Sequence, residues 1–249
     1  YAGGKFTEGS LPDSVKKNIN DDRKEKCKVK NKDEAKERLR RYQNATSEAN
    51  RLCSQAEIGF HPYLTRKGLP SVEAMVLEDE LLVPMTPFLS LTRYRNIQRI
   101  TPDGGKKFLY GGKVSGMVYQ RGKKHPQIRM LCEGYATAIT LLDVAAAATH
   151  QKVAVLCCFN ANNMIAVARQ ISRDSRVIVV ADYDRDSRTG QQAAEKTGLP
   201  YILPTHNPEY KSTDYNDWVY RDGCREEAIK LLREKVLETP CITETHWCR

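Results

Sequence analysis

The sequence predicts an α/β fold in which a parallel sheet is covered by helices on both faces, preceded by a helical segment and a small β-rich basic module. Three observations support this prediction. Short apolar runs alternate with helical patterns from residue 127 onward, which is typical of parallel βαβ units. Turn-rich segments with strand-like patterns fill residues 58–126, and apolar residues recur every three to four positions between 33 and 57.

The first 57 residues are predicted to be charged, partly disordered and then helical. Residues 1–32 are polar and lack periodicity, so we expect them to be mobile or only partly helical. A helix is predicted over 33–57, with Asp33 as a suitable N-cap and Gly59 just beyond its end. Acidic and basic residues interleave at helical spacing near its start, which favours a solvated helix face.

The two following segments are predicted from turn signals and apolar runs. In the basic module, Pro102-Asp103-Gly104-Gly105 and Gly111-Gly112 separate short strands. From 127 to 220 the alternating pattern predicts an α/β domain, which we expect to be the catalytic domain. Residues 221–249 are predicted to be a helix and a tail. The predicted strands are 81–85, 97–101, 107–110, 114–119, 128–132, 153–159, 177–181 and 201–203, and the predicted helices are 135–148, 163–171, 189–197 and 222–238.

Composition excludes several classes of protein. With 249 residues the chain is long enough for one or two domains with a sizeable core. The sequence contains no run of 18 apolar residues, so no membrane span is predicted. We expect no signal peptide, because the first 20 residues lack an apolar stretch. The eight cysteines are scattered and several lie in apolar runs, which favours reduced thiols in a cytoplasmic protein over a disulfide scaffold.

The net charge of +9 is unevenly distributed. Residues 92–129 contain ten Lys or Arg and a single acid, Asp103, whereas residues 130–249 carry 14 basic and 16 acidic residues. A concentrated basic segment is typical of proteins that bind a polyphosphate such as a nucleic acid, although a solvated surface is the alternative. We therefore expect the basic module to bind nucleic acid.

Carboxylates follow three predicted strands of the α/β domain. Glu133-Gly134 comes after the first, Asp182-Tyr183-Asp184 after the third, and Asp214-Tyr215-Asn216-Asp217 after the last. Ligands bind at the carboxyl ends of parallel strands, so we expect these acids to share one edge. Clustered carboxylates need counter-charge, and Mg²⁺ or Mn²⁺ is the usual partner in phosphate chemistry. Three alternatives compete: a calcium loop, which Ser187 and Ala193 contradict, a phosphatase with Asp182 as nucleophile, and simple helix capping.

These motifs together resemble a Toprim domain, and more specifically the DNA primases of satellite phages and conjugative plasmids. The resemblance spans roughly residues 42–220. It rests on Glu133-Gly134-Tyr135-Ala136-Thr137-Ala138, Phe159-Asn160-Ala161-Asn162-Asn163, Asp182 and Asp184 with Gly190, Asp214-Tyr215-Asn216-Asp217-Trp218, and upstream His61-Pro62-Tyr63-Leu64-Thr65-Arg66-Lys67-Gly68.

The resemblance implies a DNA primase catalytic core that uses Mg²⁺ or Mn²⁺ to make RNA primers from nucleoside triphosphates on single-stranded DNA. It also implies a replicative helicase, fused or separate, and no membrane. Glu133 would be the catalytic acid or base, Asp182 and Asp184 would be catalytic metal ligands, and Asp214 and Asp217 would complete the metal site with Glu133. The residues expected to contact nucleotide or template are His61, Arg66, Lys67, Arg93, Arg95, Arg99, Lys106, Lys113, Asn160, Asn163 and Lys211.

Some of these residues have a structural interpretation as well. His61 can cap a helix, Arg66 and Lys67 can be ordinary surface cations, and the asparagines after residue 159 can order their own loop. The sequence also departs from the family pattern, because Thr137 stands where bacterial replicative primases have Asp. A metal-dependent Toprim nuclease and a non-catalytic nucleic-acid-binding module are therefore the alternative functions.

Overall fold

A computed structural model describes residues 13–88, 90, 93–171, 176–183, 187–204 and 213–239 of the chain. Seven helices and ten strands lie in these ranges. The helices are α1 (Asp13–Gln55), α2 (Pro62–Arg66), α3 (Tyr135–Ala148), α4 (Ala161–Ala168), α5 (Thr189–Thr197), α6 (Tyr215–Tyr220) and α7 (Arg225–Glu238). The strands are β1 (Glu57–Gly59), β2 (Ala74–Leu77), β3 (Glu80–Pro87), β4 (Asn96–Ile100), β5 (Lys106–Phe108), β6 (Met117–Gly122), β7 (Ile128–Cys132), β8 (Val153–Cys157), β9 (Arg176–Val180) and β10 (Tyr201–Ile202).

The strands form one continuous sheet in the order β1-β2-β3-β6-β8-β7-β9-β10, with β4 and β5 branching from β3. Strands β8, β7, β9 and β10 are parallel neighbours, and β6 is antiparallel to β8. Helices α3, α6 and α7 share a buried core with one face of the parallel part, and α4 and α5 cover the other. The predicted parallel sheet with helices on both faces is confirmed.

Alternation along the central strands explains this two-sided burial. In β7, Ile128, Met130 and Cys132 contribute to the core under α3, whereas Leu131 contributes to the core under α4 and α5. Successive side chains of a strand point to opposite faces, so a strand buried on both sides is apolar throughout. This is why β7 is apolar apart from Arg129, which is only partly buried.

The N-terminal helix differs from the prediction. Helix α1 begins at Asp13 instead of residue 33, so 13–32 are helical, and residues 1–12 lie outside the described part. Lys30 and Glu34, 3.9 Å apart, form an ion pair one turn apart across the predicted start of the helix, and this pair favours the longer helix. None of the helices in the described ranges has the length and apolar character needed to cross a bilayer.

The sheet continues across the predicted boundary between the basic module and the α/β domain. Strand β3 pairs with β6 through Thr86 and Pro87, and β6 then pairs with β8 along four residues, Tyr119 to Gly122. Strand β6 therefore belongs to the basic module in sequence and to the α/β sheet in space. The structure also contains four short elements that the sequence analysis did not predict, namely β1, β2, α2 and α6.

Candidate active site

Glu133 and Asp182 follow two neighbouring parallel strands. In the pairing of β7 with β9, Leu131 lies opposite Val179. If this register continues for two more residues, Glu133 lies opposite Ala181 and therefore beside Asp182. Gly190, near the start of α5, lies between them: a Cβ at this position would be 2.4 Å from the Asp182 carbonyl oxygen and 3.1 Å from Glu133 Oε1. The two predicted site residues are thus brought together at the carboxyl edge of the sheet.

The carboxylates of Glu133 and Asp182 are partly sequestered from solvent, because Glu133 Oε1 and Asp182 Oδ1 are both buried atoms. Cys157 lies beneath them and contacts the Glu133 carbonyl oxygen through Sγ at 3.2 Å. Burial raises the pKa of Cys157 to about 12, and the negative charges of Asp182 and Glu133 act in the same direction. Burial likewise raises the pKa of Cys132 well above its ordinary value, so both thiols stay protonated.

A divalent metal is implied by the fold, and the carboxylates of Glu133 and Asp182 are two ligands of the type that would hold one. Carboxylate oxygens are the ligands preferred by hard cations, and a buried pair of them needs positive charge nearby. In the part of the chain that the structure describes, no group of three or more His, Cys, Asp or Glu side chains could hold a metal ion. Asp184, the third predicted ligand, lies outside the described residues.

Asp214 and Asp217, also predicted to bind metal, have a protein cation as partner. Lys67 Nζ donates to Asp214 Oδ2 and to Asp217 Oδ1, both at 2.8 Å, and all three side chains are largely buried. Burial lowers the pKa of Lys67, but the attraction of the two carboxylates outweighs it and the net pKa is raised. Asp214 also accepts from the Asp217 backbone N–H as the N-cap of α6.

His61 positions Lys67 by starting the short helix α2. Its Nδ1 accepts from the Tyr63 N–H at 3.2 Å, its Nε2 is 2.8 Å from the Asp79 carbonyl oxygen, and the residue is 2% exposed. The helix-capping interpretation accounts for both ring nitrogens of His61 within the protein. Its predicted contact with nucleotide stays a prediction, and the low exposure of the residue does not favour it.

Lys106 and Arg66 lie on the rim of the same region. Lys106 Nζ lies 5.9 Å from the centre of the Tyr63 ring, and it is close enough to Cys157 to oppose the rise of that pKa. Arg66 Nη2 approaches the turn at Gly104, 3.1 Å from the position that a Cβ would take there. Both cations are exposed, so they are available to phosphate near the acidic edge.

The asparagines after β8 have structural partners. Asn160 caps α4 by accepting from the Asn163 N–H at 2.8 Å. The buried Asn163 side chain accepts from the Gly116 N–H and donates to the carbonyl oxygens of Met117 and Cys158, each at 2.7 Å. Phe159, just before them, has a φ of +69°, an uncommon conformation for a residue other than glycine. These contacts order the loop, as one of the two sequence interpretations proposed.

The remaining predicted contacts lie on the basic module. Arg93, Arg95 and Lys113 are exposed around one groove, whereas Arg99 forms an ion pair with Glu80. Lys211 lies outside the described residues. The predicted nucleic-acid residues therefore divide into a rim beside the acids and a separate group nearer to α1.

Comparison with known proteins identifies the α/β part of the chain. The family model for the Toprim domain matches residues 128–223. This segment is a Toprim domain. It includes Glu133, Asp182 and the Asp214–Asp217 pair, and it begins at the first strand of the parallel sheet. Thr137 lies in the first turn of α3 within this Toprim domain, and its Oγ1 would be 3.5 Å from a Cβ at Gly134.

Two solved structures are similar to the chain at low sequence identity. One is a structure of bacteriophage T7 lagging-strand DNA polymerase interacting with primase domains of two gp4 subunits bound to an RNA/DNA hybrid and dTTP. The sequence identity is 13% and the TM-score is 0.45, and the match covers 72% of this chain and 87% of that chain. The other is the primase fragment of the bacteriophage T7 primase-helicase protein, with 12% identity and a TM-score of 0.46 over 68% of this chain and 69% of that chain.

Sequence reasoning missed the partner of the Asp214–Asp217 pair and the packing beneath the site. The ion pair joins residues 147 and 150 positions apart, and no local pattern signals it. The glycine at 190 and the buried cysteine at 157 were visible as residue types, but their closeness to Glu133 depends on the strand order. A short His-Pro motif before an apolar pair was the available signal for α2.

Proposed function

We propose that this chain is the catalytic core of a DNA primase, which synthesises short RNA primers on single-stranded DNA by metal-dependent nucleotidyl transfer. The observation that supports this proposal best is the placement of Glu133 and Asp182 around Gly190 at the carboxyl edge of a Toprim domain. A strongly basic module that shares the same sheet supplies a surface for the template. A replicative helicase, fused or separate, is the partner that we propose.

Glu133, Asp182 and Asp184 are proposed to hold Mg²⁺ or Mn²⁺. When bound, such an ion supplies a Lewis acid that stabilises negative charge on phosphate oxygens. Asp214 and Asp217 stay predicted metal ligands, but in that role they would have to exchange Lys67 for the ion or share it. Lys67 already neutralises part of their charge, so the two pairs of acids do not present four unbalanced charges at one edge.

The side chains divide the work of the proposed reaction. The Glu133 carboxylate accepts the proton of the primer 3′-hydroxyl as that oxygen attacks the α-phosphorus, and pyrophosphate leaves. The exposed Lys106 and Arg66 bind the phosphates of the incoming nucleotide at the rim. Gly190 leaves room for Glu133 and the Asp182 backbone to approach each other, which sets the position of the base.

The test is primer synthesis from labelled ribonucleotides on single-stranded DNA, with Glu133→Gln and Asp182→Asn compared with wild type. Each substitution keeps the shape of the side chain and removes its charge, and we expect a loss of roughly 10²-fold to 10⁴-fold. Glu226→Gln is the matched control, because the Glu226 carboxylate is 88% exposed and lies on α7, which contains neither of the two site residues. Chelation of divalent metal should abolish synthesis in the wild type.

The products separate this proposal from its alternatives. Full activity of the Glu133 and Asp182 variants would overturn the assignment of the site. Shortened nucleic acid in place of extended primers would identify a Toprim nuclease. Binding without any turnover, unaffected by chelation, would identify a non-catalytic module, which is the outcome that Thr137 in the place of Asp favours.

A further inference from the structure

A groove of about 770 Å³ lies between α1 and the basic module, separate from the acidic residues. One wall is the middle of α1, and the other is formed by the residues around β4 and the start of β6. Its described lining contains three cations and no acid. The cations are Arg93, Arg95 and Lys113, and α1 contributes Gln43 and Thr46 to the lining.

The cations in this groove are available to a ligand. Arg93, Arg95 and Lys113 are exposed, and among the described residues none of them is in an ion pair. Hydroxyl and amide groups of Gln43, Thr46 and other residues supply hydrogen-bond partners between the charges. Guanidinium, ammonium, hydroxyl and amide groups together are the usual partners of phosphodiester oxygens.

The walls of the groove are held in place by contacts that span long stretches of sequence. Asn50 of α1 donates to the Tyr94 carbonyl oxygen at 2.9 Å, between two of the cations. On the other side, Asn96 donates to the Lys113 carbonyl oxygen at 3.2 Å. Gly111 packs against α1 so closely that a Cβ there would lie 2.8 Å from Arg41 Cβ. The groove therefore exists before any ligand binds, which lowers the entropic cost of binding.

Part of the groove lining lies at the same edge of the sheet as the acidic residues. Its residues Gly116 and Met117 lie at the start of β6, and Tyr119, two positions on, is paired with Cys157 at the carboxyl end of β8. Strand β7, which leads to Glu133, is the next strand after β8. Neighbouring strands are about 4.8 Å apart, so β7 lies roughly 10 Å from β6 along this edge. The part of the groove lining at the start of β6 is therefore two strand spacings from the strand that leads to Glu133.

We infer that this groove binds the phosphate backbone of single-stranded DNA and that α1 is one wall of the binding site. Its volume is in the roughly 300–1,000 Å³ range of small-ligand pockets, which accommodates a short length of one strand but not a duplex. Only the identification of that strand as the primer template rests on the proposed function. The inference adds α1, which lies outside the matched Toprim segment, to the surface that binds nucleic acid.

Salt dependence of binding is the first test. Fluorescence anisotropy of a labelled oligothymidylate is measured from roughly 50 to 200 mM salt with a chelator and no nucleotide. For single strands each phosphate contact contributes about −0.7 to the slope of log K against log salt concentration. Each single change, Arg93→Gln, Arg95→Gln or Lys113→Gln, should therefore reduce the slope by about 0.7, and the triple change by about 2. Lys230→Gln on α7 is the control and should leave the slope unchanged.

The second test concerns the wall formed by α1. Gln43→Glu places a negative charge in the groove, whereas Asn44→Glu places the same charge on the next residue, which is exposed and does not line the groove. We expect Gln43→Glu to weaken binding by about five-fold at low salt, as expected for a like charge near one phosphate. Asn44→Glu should have a clearly smaller effect.

The outcomes distinguish this inference from the proposed function. Wild-type affinity and slope in the triple variant would overturn the groove, whatever the result of the primer-synthesis assay. Equal effects of Gln43→Glu and Asn44→Glu would overturn the role of α1. Equal affinity for a duplex of the same length would overturn the assignment to single strands. Loss of primer synthesis in Glu133→Gln with unchanged DNA binding would leave the groove intact.

Discussion

Gly190→Ala adds one methyl group between Glu133 and Asp182, and we expect it to reduce the proposed primer synthesis strongly while the protein still folds. The new Cβ would lie 2.4 Å from the Asp182 carbonyl oxygen and 3.2 Å from the Asp182 carbonyl carbon. Both are backbone atoms that cannot rotate away, so α5 or the segment after β9 has to move. Overpacking of this kind costs about 1–3 kcal/mol.

A second effect acts in the opposite direction. Gly190 is in a helix, where alanine is more stable than glycine by about 0.5–1 kcal/mol. The net loss of unfolding free energy is therefore about 0–2.5 kcal/mol, which lowers the Tm of a protein of this size by at most roughly 10 °C. The effect on activity is larger, because a displacement of about 1 Å at a catalytic group can cost on the order of 10²-fold in rate.

The assay combines thermal unfolding with primer synthesis well below the Tm of the variant. Gly59→Ala is the matched control, because nothing lies within 4 Å of a Cβ at that position. We expect the control to have the activity of the wild type. If Gly190→Ala had both the Tm and the activity of the wild type, the described approach of Glu133 to the Asp182 backbone would be incorrect.

Three further predictions concern buried groups. Lys67→Met should lower the unfolding free energy in urea by about 2–4 kcal/mol, since it removes the cation that two largely buried carboxylates share. Asp214 loses this partner, whereas Asp217 keeps its ion pair with Arg221 at 3.4 Å; an unchanged midpoint would contradict the ion pairs of Lys67. Asn163→Ala should cost about 2–4 kcal/mol because it removes three buried hydrogen bonds, and the exposed Asn162→Ala should cost little; equal costs would refute this assignment. Cys157 should resist a thiol reagent at pH 8 in the folded protein, because its raised pKa and its burial suppress the thiolate. The exposed Cys27 should react under the same conditions, and peptide mapping of the labelled protein would distinguish the two.

Long, strongly patterned elements were predictable from the sequence. Helices α3 and α5 and strand β7 have the predicted bounds, because each is long or apolar enough to show its period and is limited by clear turn residues. Strands β1 and β2 and helix α2 have five residues or fewer, which is too short for a period to be seen. The extra length of α1 was missed because its first turns have charges but no apolar stripe.

The candidate site was predictable to the extent that it depends on strand ends. Glu133 and Asp182 could be placed at one edge because all parallel strands end on the same side of a sheet. The pairing of Lys67 with Asp214 and Asp217 could not, because it depends on how a loop before the sheet packs against a helix after it. The groove beside α1 likewise needs three segments that are distant in sequence.

The path of β6 affects how the Toprim domain can be produced by itself. A fragment that begins at residue 127 would lack β6, and β8 would become the outermost strand of its sheet. Its four unpaired backbone positions, from Ala154 to Cys157, would then form an apolar template on which other chains can add strands. Soluble expression therefore requires a start point before Met117, so that the edge of β8 remains covered during folding.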